Sequence, residues 1–265
     1  MVKRLLCMFL VAGFGGFWVA PTFAQGKQPG REAVKVESVE AQMDAAKQAK
    51  SDARGLKGIA RLEQLKAAAD AFQAVSRYWP KEKEAVAEAC FRRGEVLRSI
   101  GEAGAARGAF EETVAVGQSG GEFRVRAYLE LGHLCRRAFE HEDALVYYQK
   151  ARDCKKVSLR YNNDGREWMT RLSLEIFAWK AARQAARDWE KHAEGPVEEV
   201  RARDAQILAL LGAGDWRKAE KELEKLRKSM RRMASAPTRE GTQLKKALDE
   251  MKAPKAIELA RTNGR

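Results

Sequence analysis

Apolar residues along the chain recur every three or four positions, not every second one. In "AVAEACFRRGEVLRSI" they fall at Val86, Cys90, Val96, Leu97 and Ile100, and in "EDALVYYQKA" at Ala144, Leu145, Tyr148 and Ala151. That spacing draws one apolar stripe along a helix. No segment sustains alternation, so the pattern predicts an all-α fold. Helix is expected from about Val36, with an interruption at Gly55–Gly58. "GEAG" (101–104) reads as a tight turn, and "QSGGE" (118–122) and "RYNNDGRE" (160–167) read as loops between helical pairs. "EGP" (194–196) is a further break. From about Arg232, "MASAPTREG" reads as linker. "TQLKKALDEMK" (242–252) is expected either as a short helix over the last pair or as loose chain, and residues 253–265 as disordered.

The pattern also repeats. Ala68, Ala106 and Ala144 stand 38 residues apart, and so do Phe72, Phe110 and Tyr148, each four residues later. Gly94 and Gly132 share the register, twelve residues before their alanines. Ala185 with Trp189 and Ala219 with Leu223 continue the small-then-large series, which places Ser173 and Ile207 in the glycine position. A glycine inside a helix costs about 1 kcal/mol relative to alanine. Gly94 therefore marks a place where a neighbour needs close approach, with Ala106 serving the same contact. Phe110 is expected to fill the space between one hairpin and the next. Gly101 ends the first helix, where a left-handed residue satisfies free carbonyls.

These residues resemble the tetratricopeptide repeat family. The family carries an aromatic, Leu-Gly and Tyr on a first helix, then Ala, an aromatic and a closing Pro. "YLELGHLC" (128–135) and "DALVYYQKA" (143–151) match best, "ACFRRGEVL" (89–97) keeps Gly94, and "AFQAVSRYWP" (71–80) keeps Phe72 and Pro80. The match is strong over 60–156 and loose over 164–230. The 38-residue period is longer than the ~34 usual for the family. It is similar to that of periplasmic members serving the Tol–Pal system or outer-membrane barrel assembly. The resemblance implies a right-handed superhelical solenoid of antiparallel helical hairpins over 36–230, with a concave groove lined by first helices.

Composition changes the picture at the ends. Residues 1–24 carry a basic head, an apolar run and small residues at Pro21–Ala24, the order of a signal peptide, with an uncleaved anchor as the alternative. Residues 25–35 read as a flexible lead, and 231–265 as a basic tail. The net charge of +13 falls to +11 without Lys3 and Arg4, with both signs interleaved. This reading makes the chain exported, periplasmic or secreted. Cys90, Cys135 and Cys154 remain, an odd number with no metal spacing. Cys90 and Cys135 are expected to be buried apolar residues.

No catalytic constellation is present: neither HExxH, nor GxSxG, nor a glycine-rich phosphate loop occurs. "NNDG" (162–165) fails as a calcium loop, because Arg160 and Arg171 take its acidic places. No enzyme activity, cofactor or metal is expected. What the fold offers is a surface. Helical spacing turns Leu131, Leu134 and Cys135 to the core of 125–137, leaving Arg126, Leu129, Glu130, His133, Arg136 and Arg137 to the groove. The corresponding sets are Glu88, Phe91, Arg92, Glu95, Arg98 and Ser99, then Glu167, Thr170, Arg171, Leu174 and Phe177. The candidate partner-binding residues are Phe91, Arg92, Arg98, Arg126, His133, Arg136, Arg137, Arg171 and Phe177. Arginines with exposed Phe91 and Phe177 suit an extended peptide bearing carboxylates. The Lys/Asn clamp of chaperone-binding relatives is absent: Phe91, Glu95, Leu129 and His133 occupy those places. His133 is expected to titrate near neutral pH if paired with Glu130 or Arg137. The basic run "KLRKSMRRM" (225–233) supports a second reading, docking on anionic lipid or acidic polysaccharide. Nucleic acid is not an expected partner, and self-association stays open.

Overall fold

The computed structural model describes residues 34–262. The signal sequence expected at 1–24, most of the lead at 25–35 and residues 263–265 lie outside them. Among the described residues there is no strand. Twelve helices follow in order: α1 (Val39–Asp52), α2 (Gly58–Tyr78), α3 (Lys83–Ser99), α4 (Ala103–Ala115), α5 (Gly121–Arg137), α6 (His141–Arg152), α7 (Leu159–Glu175), α8 (Trp179–Lys191), α9 (Pro196–Gly212), α10 (Trp216–Ala234), α11 (Arg239–Asp249) and α12 (Ala253–Thr262). Each of α1 to α11 packs on its successor except α11, which returns to α9 and α10. The first helices α1, α3, α5, α7 and α9 also meet one another in sequence. This is a helical solenoid of stacked hairpins.

Four hairpin turns close in the same way. The second residue past the first helix adopts a left-handed backbone at Gly101 (φ 84°), Phe139 (φ 61°), Phe177 (φ 60°) and Gly214 (φ 82°). The next N–H then reaches back five residues: Glu102 to Leu97 at 3.0 Å, Glu140 to Cys135 at 2.9 Å, Ala178 to Ser173 at 2.8 Å, Asp215 to Leu210 at 2.9 Å. This Schellman closure satisfies the last carbonyls of the first helix. Glycine adopts that backbone freely, whereas phenylalanine is strained in it.

The close approach at Gly94 is to a ring within its own hairpin. A Cβ there would lie 2.5 Å from Cε1 of Phe110. Tyr148 covers Gly132 in the same manner. Phe110 thus fills space inside its hairpin, and it also meets Phe91 at 5.6 Å between ring centres. Ala68, Ala106 and Ala144 are all fully buried.

The register of the later repeats differs from the sequence reading. Ala182, not Ala185, continues the 38-residue series and is fully buried, while Ala185 is half-buried. Thr170 and Ala186 then take the glycine and aromatic places, and both are buried. A larger first-helix residue accompanies a smaller second-helix residue, which conceals the pair from a search for small-then-large. Trp189 is buried one turn further on, and its indole N–H donates to Glu198 at 2.7 Å.

"RYNNDGRE" is not a loop; all but its first residues lie well inside α7, which begins at Leu159. Its polar residues satisfy the ends of other helices. The Asn162 side-chain amide donates to the carbonyls of Ala151, Arg152 and Cys154 at 2.8–3.0 Å, closing the C-terminus of α6. The amide of Asn163 donates to the His192 carbonyl at 2.7 Å, at the end of α8. A Cβ on Gly165 would meet the backbone N of Arg152 at 2.7 Å, so α6 and α7 cross there with no room for a side chain.

The C-terminal region is folded through Thr262. Leu244, Ala247, Met251, Ala253 and Ile257 share a core with Val200, Ile207, Leu210, Leu223, Leu226 and Met230. Residues 253–262, expected to be disordered, form α12, and the short helix spans Arg239–Asp249. Asp204 on α9 accepts from the backbone N–H groups of Lys252 at 3.0 Å and Ala253 at 2.9 Å, capping α12.

Candidate partner-binding groove

The first helices α1, α3, α5 and α7 lie side by side, the row that the tetratricopeptide resemblance makes the inner wall, and ion pairs cross it from helix to helix. Lys47 of α1 lies 3.5 Å from Glu88 of α3. Glu95 of α3 takes three cations: Lys50 of α1 at 3.4 Å, Arg92 at 3.1 Å and Arg126 of α5 at 3.4 Å. Burial alone would push the Glu95 carboxyl up, but the hydrogen bonds and charges of Arg92 and Lys50 outweigh it and hold the group below the ordinary range. Arg98 of α3 bonds Glu130 of α5 at 2.6 Å. Burial nevertheless raises Glu130, with Glu95 adding to the effect. Arg136 of α5 reaches Glu175 of α7 at 3.3 Å, and Arg171 pairs with Glu167 one turn earlier on its own helix.

Aromatic rings lie beneath several of these guanidinium groups. Arg126 sits 4.3 Å from the centre of Phe91 and 5.6 Å from that of Phe123. Arg136 and Arg171 stand 5.3 Å and 5.0 Å from Trp168. A planar cation on a ring face keeps its edge N–H groups available to a carboxylate.

The placement of the candidate residues departs from the sequence reading at several points. Phe91 is buried, not exposed, and supports Arg126 from below. Leu129 and Thr170 are buried as well. A helix in a solenoid touches neighbours on two sides, so its buried arc is wider than one stripe. Phe177 is 72% exposed, but it stands in the α7–α8 turn and not on an inner helix. His133 does not pair with a carboxylate. Its Nδ1 lies 2.9 Å from the Tyr148 hydroxyl and its ring meets Trp168 edge-on at 4.5 Å. Burial, with Arg136, Arg137 and Arg98 nearby, pulls its pKa down to about 4. It is neutral at physiological pH. Arg137 is exposed at the end of α5.

Sequence reasoning missed Phe123, Trp168, Lys47 and Lys50. The aromatics carried a signal. Phe123 precedes Arg126 by three residues, and Trp168 precedes Arg171 by three, a spacing that brings ring and cation together on a helix.

Cys90, Cys135 and Cys154 are free thiols, the first two buried. Burial pushes the thiols of Cys90 and Cys135 up to about 11, so neither is a ready nucleophile. Among the described residues no group of three or more His, Cys, Asp or Glu is placed to hold a metal ion. The basic run 225–233 is the second half of α10. Leu226 and Met230 enter the core, and its cations stay exposed.

A crystal structure of MamA protein is similar to this chain, with 17% identity and a TM-score of 0.54, over 76% of this chain and 96% of the other. That likeness supports a tetratricopeptide-like helical solenoid, and at this identity it speaks to the fold alone. No protein-family description and no curated protein matches the sequence.

Proposed function

We propose that the protein is a non-catalytic scaffold that binds an acidic peptide or protein segment along the inner wall of its solenoid. The observation that carries this reading is the stacking of Arg126, Arg136 and Arg171 on Phe91, Phe123 and Trp168. The rings fix the guanidinium planes. The partner glutamates Glu95, Glu167 and Glu175 come from the wall itself, so an incoming carboxylate exchanges with a charge that is already solvated in part. Such exchange gives specificity and modest affinity more than tight binding.

The test is chemical cross-linking in an envelope extract, comparing the native chain with the triple variant Arg126→Glu, Arg136→Glu, Arg171→Glu. Loss of the captured partners, with an unchanged helical circular dichroism spectrum, supports the groove. An unchanged set of partners from a folded variant removes it.

We also propose that the chain is exported and works in the cell envelope or outside it. The support is the order of basic, apolar and small residues over 1–24. Mass spectrometry of the native protein checks this: a mature chain beginning at Gln25 is expected, and an intact N-terminus in the cytoplasm contradicts it.

A further inference from the structure

A strongly one-sided charge lies on α10, away from the row of first helices. This helix holds eight basic and three acidic residues. Its buried residues are Ala219, Leu223, Leu226 and Met230, and it packs on α9, α11 and α12. With about 3.6 residues per turn, Arg217, Lys221, Lys225, Lys228 and Arg232 fall on the opposite side. All five are exposed. Only Lys225 is paired, with Glu222 at 2.8 Å. Among the described residues Arg217, Lys221, Lys228 and Arg232 form no ion pair. Glu224 borders the row, and no carboxylate stands within it.

The contrast with the inner wall is informative. There the arginines of the facing helices are matched by glutamates at 2.6–3.6 Å. On α10 four of the five outward cations are left unmatched along a helix about 28 Å long. Like charges in a file repel one another, so the row is stabilised by whatever negative charge it meets. It stands on the solvent side of one continuous helix, opposite the face that packs on α9, α11 and α12. A flat array of charges meets every member of such a row at once, whereas a single chain needs a groove to follow it.

We propose that the outward face of α10 docks the protein on a bilayer surface containing anionic lipid. Ala219, Leu223, Leu226 and Met230 of α10 are committed to the core, and the exposed Met233 lies to the core side of the helix and outside the cationic row, so the row offers no apolar face to insert into the membrane. Docking is therefore confined to headgroup level and is electrostatic, unlike that of an inserted amphipathic helix. It operates independently of the inner wall.

The experiment is sedimentation of the full chain with vesicles of phosphatidylcholine, with and without phosphatidylglycerol. The native chain is compared with Lys221→Ala, Lys225→Ala, Lys228→Ala, Arg232→Ala, in which alanine preserves the helix. The triple groove variant serves as a charge-change control. All three chains keep residues 1–24, so apolar binding by that segment appears equally in each and with neutral vesicles. The native chain is expected to favour the anionic vesicles, and to release them as salt shortens the screening length. Removal of four cations is expected to lower that partitioning by a hundredfold or more, at roughly fivefold for each charge near the surface. The groove variant is expected to sediment with the anionic vesicles as the native chain does. Equal sedimentation with both vesicle types, an unaffected quadruple variant, or capture by heparin or DNA without capture by vesicles overturns the proposal.

Discussion

The ring of Phe110 occupies the volume that any side chain on Gly94 would need, with Cε1 2.5 Å from the position of a Cβ. Phe110 is fully buried, so it cannot swing out to make room. Gly94→Ala is therefore expected to destabilise the protein by about 2 kcal/mol, although alanine improves helix propensity by about 1 kcal/mol. Gly104, exposed on α4 with nothing within 4 Å of its Cβ position, supplies the opposite case. Gly104→Ala is expected to stabilise by about 0.5–1 kcal/mol. Urea denaturation of both variants reads the difference, and equal shifts would refute it.

Phe139 and Phe177 sit where the neighbouring hairpins use glycine. Their rings are 81% and 72% exposed, so little burial offsets the left-handed backbone. Replacing either with glycine is expected to raise stability by about 0.5–1 kcal/mol, the strain relieved less the added freedom of the unfolded chain. Thermal denaturation checks this. A loss of stability would mean that the ring contacts with His141 and Trp179 matter more than the strain.

His133 makes stability depend on pH with a definite sign. Its folded pKa, about 4, lies below the ordinary 6.5, so the unfolded chain takes up the proton first. Its contribution is complete above pH 6.5 and declines as pH falls towards 4, by on the order of 3 kcal/mol. Asp164 works in the other direction, because burial raises its carboxyl to about 6 and protonation favours the fold. The difference between the native chain and His133→Gln isolates the histidine. The variant is expected to lose less stability between pH 6.5 and 4, and parallel curves would contradict this.

Asp204 holds α12 by its first turn, through hydrogen bonds to Lys252 and Ala253. Asp204→Ala removes both acceptors at a partly buried helix end and is expected to cost about 1–2 kcal/mol. Hydrogen exchange is expected to speed up over 253–262 while α5 and α6 keep their protection. Uniform acceleration along the chain would instead make Asp204 a global stability residue.

The all-α fold, the 38-residue hairpin repeat and the turn at Gly101 were legible in the sequence because each is a local property. Helical periodicity, a small residue one turn before a large one, and a left-handed glycine are each written within twenty residues of chain, and the repeat is the recurrence of that local pattern every 38 residues. Contacts between distant segments were not legible. Asn162, Asn163 and Gly165 have the composition of a loop, yet they lie in a helix whose polar groups close the ends of α6 and α8. The fourth repeat hid its register because Thr170 and Ala186 exchange the sizes of the glycine and aromatic that occupy those places elsewhere.

The groove divides along the same line. Arginines at helical spacing named the wall, but only stacking revealed that Phe91 lies beneath Arg126 and that glutamates of adjacent helices already neutralise it. The sequence by itself determined the all-α class, the order of the hairpins up to α6 and the surplus of positive charge, since these follow from periodicity and composition. The tertiary structure alone decided which cations are spent on neighbours and which face solvent unpaired, because that depends on distances between helices far apart in the chain.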